Sequence, residues 1–234
     1  MSIQFHPNNQ NLRLLVDQDE WNGLEIFKSR SGMIESYLSV IHQKLIFAKC
    51  DYTRVSMMRL DLHFPLHIMA RTDTHVISRF FDALRFRINH DQAKKNKKGQ
   101  RVHKCKLRYI WVREKDISKH QHYHIAIILN YDSYFKLGKF KTREKIAKNL
   151  VSGTVPRENM HSRICDSWAS ALGIKKEDAL GLINVPDNST YKIDSSAENA
   201  DDQFREAFRR LSYFAKAQTK IFGDNVRNFG CNRD

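Results

Sequence analysis

His122-Tyr123-His124-Ile125-Ala126-Ile127-Ile128-Leu129 is the stretch on which the reading of this chain turns. Alternate residues of a β-strand point to opposite faces, so His122 and His124 share one face while Tyr123 and Ile125 take the other. The apolar run that follows marks a strand entering a core, which holds both imidazoles in fixed directions. A pair of strand histidines is, in most proteins, a hydrogen-bonded polar patch. Here His120 and Gln121 extend a polar approach to the pair, and Glu114 lies about one hairpin turn upstream. Two imidazoles with one carboxylate make an open site for a divalent cation. His120 has the same strand parity and is an alternative third ligand; Asp116 and Asp61 are others.

Outward from this strand, Cys105–Arg113 is rich in large apolar residues and reads as a second strand, with Glu114–Lys119 as the turn of an antiparallel hairpin. Met58, Leu60, Leu62 and Phe64 alternate with Arg59, Asp61 and His63, a half-buried strand closed by Pro65. Thr72 or Asp73 is positioned to cap a helix carrying Val76, Phe80, Phe81, Leu84 and Ile88. Lys94, Lys95, Lys97, Lys98 and Arg101 lie in a stretch with glycine and no apolar residue, which reads as a basic loop able to grip phosphates. Residues 12–50 have apolar residues at helical spacing, with Gly32 between two helices, so residues 1–50 read as a helical extension and 51–234 as the main domain. Residues 131–173 read as mostly helical, 180–185 as a short strand, 186–202 as a loop and 226–231 as an edge strand. The expected fold class is α+β: a central, mainly antiparallel sheet with flanking helices, its ligand-bearing face open to a partner.

Asp201–Phe222, closed by Gly223, has the clearest helical pattern. At roughly 100° per residue, Phe204, Ala207, Phe208, Leu211 and Ala215 fall in one stripe. Tyr213 falls almost opposite, among Arg209, Lys216 and Lys220. A packing tyrosine belongs in the stripe; one among cations is placed to meet a phosphate. Surface tyrosines are common, and a tyrosine followed three residues later by lysine gains meaning only beside the histidine pair.

The 234 residues carry 40 Lys and Arg against 26 Asp and Glu, a formal net charge of +14. That excess points to a polyanion as partner. No run approaches the roughly 20 apolar residues of a membrane span, so DNA is favoured over a bilayer. The four cysteines are scattered and form no CxxC pair, which argues against a zinc ribbon or a disulfide framework and fits a reducing cytoplasm. Trp111, Tyr109 and Trp168 divide between base stacking and core packing, with packing the commoner use.

Together, the histidine strand and the downstream Tyr213-Phe214-Ala215-Lys216 resemble the HUH endonucleases, the rolling-circle replication initiators and relaxases. In finer detail the chain is similar to the inovirus gene 2-like proteins and the YagK/YfjJ type of enterobacterial prophages. The features are Trp111-Val112-Arg113-Glu114, His122-Tyr123-His124 leading to Leu129-Asn130, Tyr134 with Leu137-Gly138, and Arg227-Asn228-Phe229-Gly230. The resemblance covers about residues 52–231. It implies His122, His124 and Glu114 as ligands of Mg²⁺ or Mn²⁺, Tyr213 as nucleophile and Lys216 as its helper. It also implies single-stranded or hairpin origin DNA as substrate, in the cytoplasm of a bacterial host, with host helicase and polymerase as further partners. Arg209 and Lys220 join the basic loop as DNA contacts. The expected activity is a site-specific nickase and joinase that initiates rolling-circle replication of a phage or prophage element through a 5′-phosphotyrosine. The alternatives are a DNA-binding regulator without catalysis, and a relaxase or transposase with the same chemistry.

Overall fold

A computed structural model describes residues 4–65, 75–115, 121–138, 158–220 and 222–233. The histidine strand, β8 (Gln121–Asn130), is the middle of a six-stranded antiparallel sheet. On one side it pairs with β6 (Arg54–His63), which in turn pairs with β9 (Ile183–Asn184) and β10 (Thr190–Asp194). On the other it pairs with β7 (Arg108–Lys115), followed by β11 (Phe229–Cys231) at the edge. Central strands are covered on both faces, which is why β8 reads as a nearly continuous apolar run.

Alternation sends Leu60, Leu62, Tyr123, Ile125, Ile127 and Leu129 to one face, under α2 (Val76–Lys97) and α3 (Met160–Leu172). Val55, Met57, Ile110, Val112, Ala126 and Ile128 go to the other, under α1 (Glu35–Asp51) and α4 (Ala200–Ser212). The ligand-bearing face is therefore roofed by helices rather than open, contrary to the sequence expectation. Its apolar residues hold α1 and α4 against the sheet, and this same face carries the histidines.

The helical expectation for the N-terminal stretch holds only for α1. Before it, β1 (Gln4–His6), β2 (Asn9–Leu15) and β5 (Met33–Ile34) form a small antiparallel sheet. β3 (Glu20–Trp21) and β4 (Leu24–Glu25) form a ribbon turned by Asn22 and Gly23, both at positive φ (50° and 74°). Such a turn matches the twist of paired strands and favours Asn-Gly. Leu15, Ile26, Met33, Leu38 and Ile41 share one core with the sheet residues Val55 and Met57.

Three further expectations are corrected. The basic stretch is not a loop up to Lys97: α2 extends through Lys94, Lys95 and Lys97 and is capped at Lys98. Lysine is a good helix former, and cations suit a helix C-terminus. The region 186–202 is not all loop, since it contains β10 and the first turn of α4. The last long helix stops at Ser212; Tyr213–Ala215 is a 3₁₀ turn and Lys216 is extended, at φ −58°, ψ 129°. Of the stretch 131–173, residues 131–138 are non-helical and Met160–Leu172 is α3. Positions 139–157, like Thr72, Asp73, Asp116 and His120, lie outside the described residues.

Candidate active site

The register of the sheet builds the site. Asp61 and Val112 flank His124 across the strands, and His63 and Glu114 flank His122. Glu114 thus stands within β7, not in the connecting turn. Its carboxylate and the two imidazoles are buried, and among the described residues these three offer ligand atoms all within 4.8 Å of one another. The two Nε2 atoms are 3.3 Å apart, and Glu114 Oε2 is 3.2 Å from His124 Nε2.

Asp61 is not a third ligand. Its Oδ1 accepts from His124 Nδ1 at 2.5 Å, and Asn184 donates to its Oδ2 at 3.1 Å. A hydrogen on Nδ1 leaves Nε2 as the imidazole lone pair, aimed at His122 and Glu114. Arg59 Nη2 also lies 3.2 Å from Nδ1; since a guanidinium only donates and Nδ1 donates to Asp61, its partner there is Asp61 Oδ1, at 3.3 Å. A carboxylate behind a ligating histidine is the arrangement that fixes tautomer and ring direction at metal sites.

Lys220 is not on an exposed DNA-facing surface. It is buried, and its Nζ donates to Glu114 Oε1 at 2.5 Å, which leaves Oε2 for a cation. Burial works to raise the Glu114 pKa, but His124 and Lys220 hold the carboxyl far below the usual carboxylate range. Burial lowers Lys220 against the partial support of Glu114. For His124 burial acts downward, yet Asp61 and Glu114 outweigh it and raise the imidazole above its ordinary value. A cation held by Glu114, His122 and His124 would compete with the proton that Asp61 and Glu114 favour on the His124 ring. Two imidazoles and one carboxylate, all buried and with ligand atoms within 4.8 Å of one another, could hold a metal ion.

Tyr213 enters from the end of α4. Its ring meets the His124 ring edge-on, with centroids 5.8 Å apart, and Phe214 stacks on the same imidazole at 6.1 Å. Lys216 Nζ donates to the Tyr213 hydroxyl at 2.9 Å, and the Arg59 guanidinium sits 5.7 Å from the ring centre. The 3₁₀ turn brings the lysine and the hydroxyl together, and both border a groove. Arg209, by contrast, pairs with Glu25 at an exposed position, 2.6 Å away. Lys94, Lys95 and Lys97 close α2, and Lys98 and Arg101 follow in the link to β7, whose far end carries Glu114. Lys95 is also paired, with Asp91 at 2.8 Å. Of the aromatics, Trp168, Trp111 and Tyr109 pack in or against the core. Among the described residues no helix is long and apolar enough to cross a membrane.

Sequence reasoning missed three members of this site. Arg59 and Asn184 reach it from β6 and β9, and Phe214 from the residue after the tyrosine. The alternation of Arg59 and Asp61 with apolar residues was the signal available for the first.

The fold and the cluster define an α+β protein with a buried two-histidine, one-carboxylate centre overhung by a tyrosine and a lysine. The chain belongs to the YagK/YfjJ C-terminal domain family, whose model matches residues 16–232. It is similar to the uncharacterized protein YagK of Escherichia coli K12, 29% identical over 208 residues, covering 86% of this chain and 93% of the relative. It is also similar to the uncharacterized protein YfjJ of the same strain, 30% identical over 210 residues, covering 86% and 95%. No solved structure matches it.

Proposed function

We propose that this protein is a metal-dependent, HUH-type single-strand DNA nickase and joinase, with Tyr213 as nucleophile. The observation that carries the reading is the tyrosine hydroxyl, held by Lys216 at 2.9 Å, on a residue whose ring meets the His124 imidazole edge-on. His122, His124 and Glu114 would hold a Mg²⁺ or Mn²⁺ ion, with the nitrogen donors favouring Mn²⁺. When bound, the cation polarises the scissile phosphate. Tyr213 oxygen attacks phosphorus, its proton leaves to solvent or to a group of the substrate, and the departing 3′ oxygen takes up a proton. The product is a 5′-phosphotyrosine and a free 3′-OH. The bond energy kept in that link allows rejoining without a nucleotide cofactor. Lys216 offsets charge on the transferred phosphoryl group. Initiation of rolling-circle replication of a phage or prophage element is the role this chemistry suits, with the free 3′ end feeding a host polymerase and a helicase opening the strand ahead.

The second reading, a basic regulator that binds DNA without cutting it, rests on the net charge of +14. One experiment separates them. Labelled single-stranded DNA from a candidate origin is incubated with protein and Mn²⁺ and run under denaturing conditions. The wild type is expected to give a covalent adduct that Tyr213→Phe, His122→Ala and His124→Ala all lose, and that chelation prevents reversibly. An adduct at wild-type level from Tyr213→Phe would sink the nucleophile assignment; binding without any adduct would leave the regulator.

A further inference from the structure

The groove bordered by Tyr213 has about 640 Å³ of space, and its opposite wall is the loop Phe27–Ser31. This volume lies within the ~300–1,000 Å³ of small-ligand sites. The loop is strapped to the segment that carries the tyrosine. Phe27 N–H donates to Ser212 Oγ at 2.8 Å, Ala217 N–H to Gly32 carbonyl at 3.0 Å, and Met33 bridges Lys216. Gly32 turns the chain at φ +85°, where a side chain would be strained and would also press on Leu14 and Val16 at 3.1 Å. The loop is thus held in place on both sides of the tyrosine.

What the loop presents is specific. Phe27 is 39% exposed although it meets the Tyr213 ring in a T-shaped contact, with centroids 5.0 Å apart, so part of its side chain is left to solvent beside Tyr213. Lys28 and Arg30 are exposed and line the groove. Among the described residues neither has an ionic partner, although nearby Arg13 pairs with Glu35 and Arg209 with Glu25. An exposed aromatic side chain beside unpaired cations is the chemistry that holds a single nucleic-acid strand: bases stack and phosphates meet charge, without reading of sequence.

Building on the strand-cutting reading above, we propose that this groove seats a single DNA strand, Phe27 stacking one base and Lys28 and Arg30 holding the flanking phosphates. The N-terminal region then supplies the strand guide, and the sheet supplies the metal centre. A duplex cannot use it in the same way, because its bases are already stacked on one another.

The test is equilibrium binding of fluorescent oligothymidylate to the full chain in the presence of chelator, where no cutting occurs, across a salt series. Lys28→Gln with Arg30→Gln is expected to make the slope of log affinity against log salt shallower by about 1.4, at ~0.7 per lost phosphate contact on a single strand. Phe27→Ala is expected to weaken binding about 5- to 150-fold. Phe27→Leu keeps apolar contact with Tyr213 but has no ring face, and should lose as much while its thermal melt stays that of the wild type. Affinity for duplex DNA of equal length should hold in every variant. An unchanged slope with unchanged affinity, or equal losses on duplex, overturns the proposal. If wild type forms a Mn²⁺-dependent adduct while the groove variants bind normally, the groove falls and the nickase stands. If the variants lose binding while wild type forms no adduct, the groove stands and the nickase falls.

Discussion

The two faces of the sheet are made from the same strands and do different work. Towards α2 and α3, β6 and β8 present Leu60, Leu62, Tyr123, Ile125, Ile127 and Leu129, with Ser56 the buried polar exception. Towards α1 and α4 they begin apolar, with Val55, Met57, Ala126 and Ile128, and end with Arg59, Asp61, His124 and His122. Adjacent residues such as Tyr123 and His124 therefore belong to different problems. One face is a core without chemistry. The other gives half its length to adhesion and half to a buried charge cluster, whose desolvation costs stability that the mainly apolar face must supply.

The largest expected effect separates the faces by stability. Phe80 is fully buried against Phe81 and Trp168, so Phe80→Ala should lower unfolding free energy by about 3–5 kcal/mol in a denaturant titration. Tyr213→Phe, which loses one part-exposed hydrogen bond, should cost about 0.5–1.5 kcal/mol. Comparable losses would break the division between a structural and a chemical face.

Next in size is Lys216→Ala, expected to slow cleavage about 10²- to 10³-fold while affinity for DNA changes much less. Lys216→Arg should rescue it partly, because charge returns without the same geometry. Equal losses in binding and cleavage would make Lys216 a DNA grip alone.

The smallest effect sharpens the cluster itself. Asp61→Asn should weaken Mn²⁺ binding about 10- to 100-fold by calorimetry, the usual cost of removing a group behind a ligand. The wild type should also bind Mn²⁺ more tightly as pH rises. The His124 proton, held above the ordinary 6.5 by Asp61 and Glu114, competes with the cation; affinity stays low below 6.5 and climbs as pH passes through the raised value. The same shift stabilises the metal-free fold fully below 6.5, and that contribution is lost as pH rises through the raised value. In Asp61→Asn the climb should move to lower pH. A pH-independent affinity would place the cation away from His124.

The sheet and the cluster of Glu114, His122 and His124 were legible because period-2 signals are local. Met58 to Phe64 and His122 to Leu129 state their own faces, and the carboxylate at Glu114 lies a hairpin away. What failed was read from the wrong period or carried past an unmarked end. Trp21, Leu24 and Ile26 mimic helical spacing, while Asn22-Gly23 holds the hairpin signal that decides against a helix. Phe214 and Ala215 continue the apolar stripe of α4 although the helix has already tightened, with no glycine or proline to mark the change. The wheel therefore put Lys220 on a DNA-facing surface. Its bond to Glu114, 106 residues away in sequence, depends on a tertiary path that no local pattern encodes.

The edge strand β11 has a consequence for solubility. Only three residues long, it occupies the open side of β7, with Gly230 so close to Trp111 that an added Cβ would come within 2.6 Å. Arg113 fastens the segment before it, donating to both Asp224 oxygens and to Asn228. An uncovered strand edge is a template for another chain's strand. The tail therefore acts as a stopper: it pairs backbone groups of β7 that an uncovered edge would offer to a second copy, and the edge left over, β11, is only three residues long.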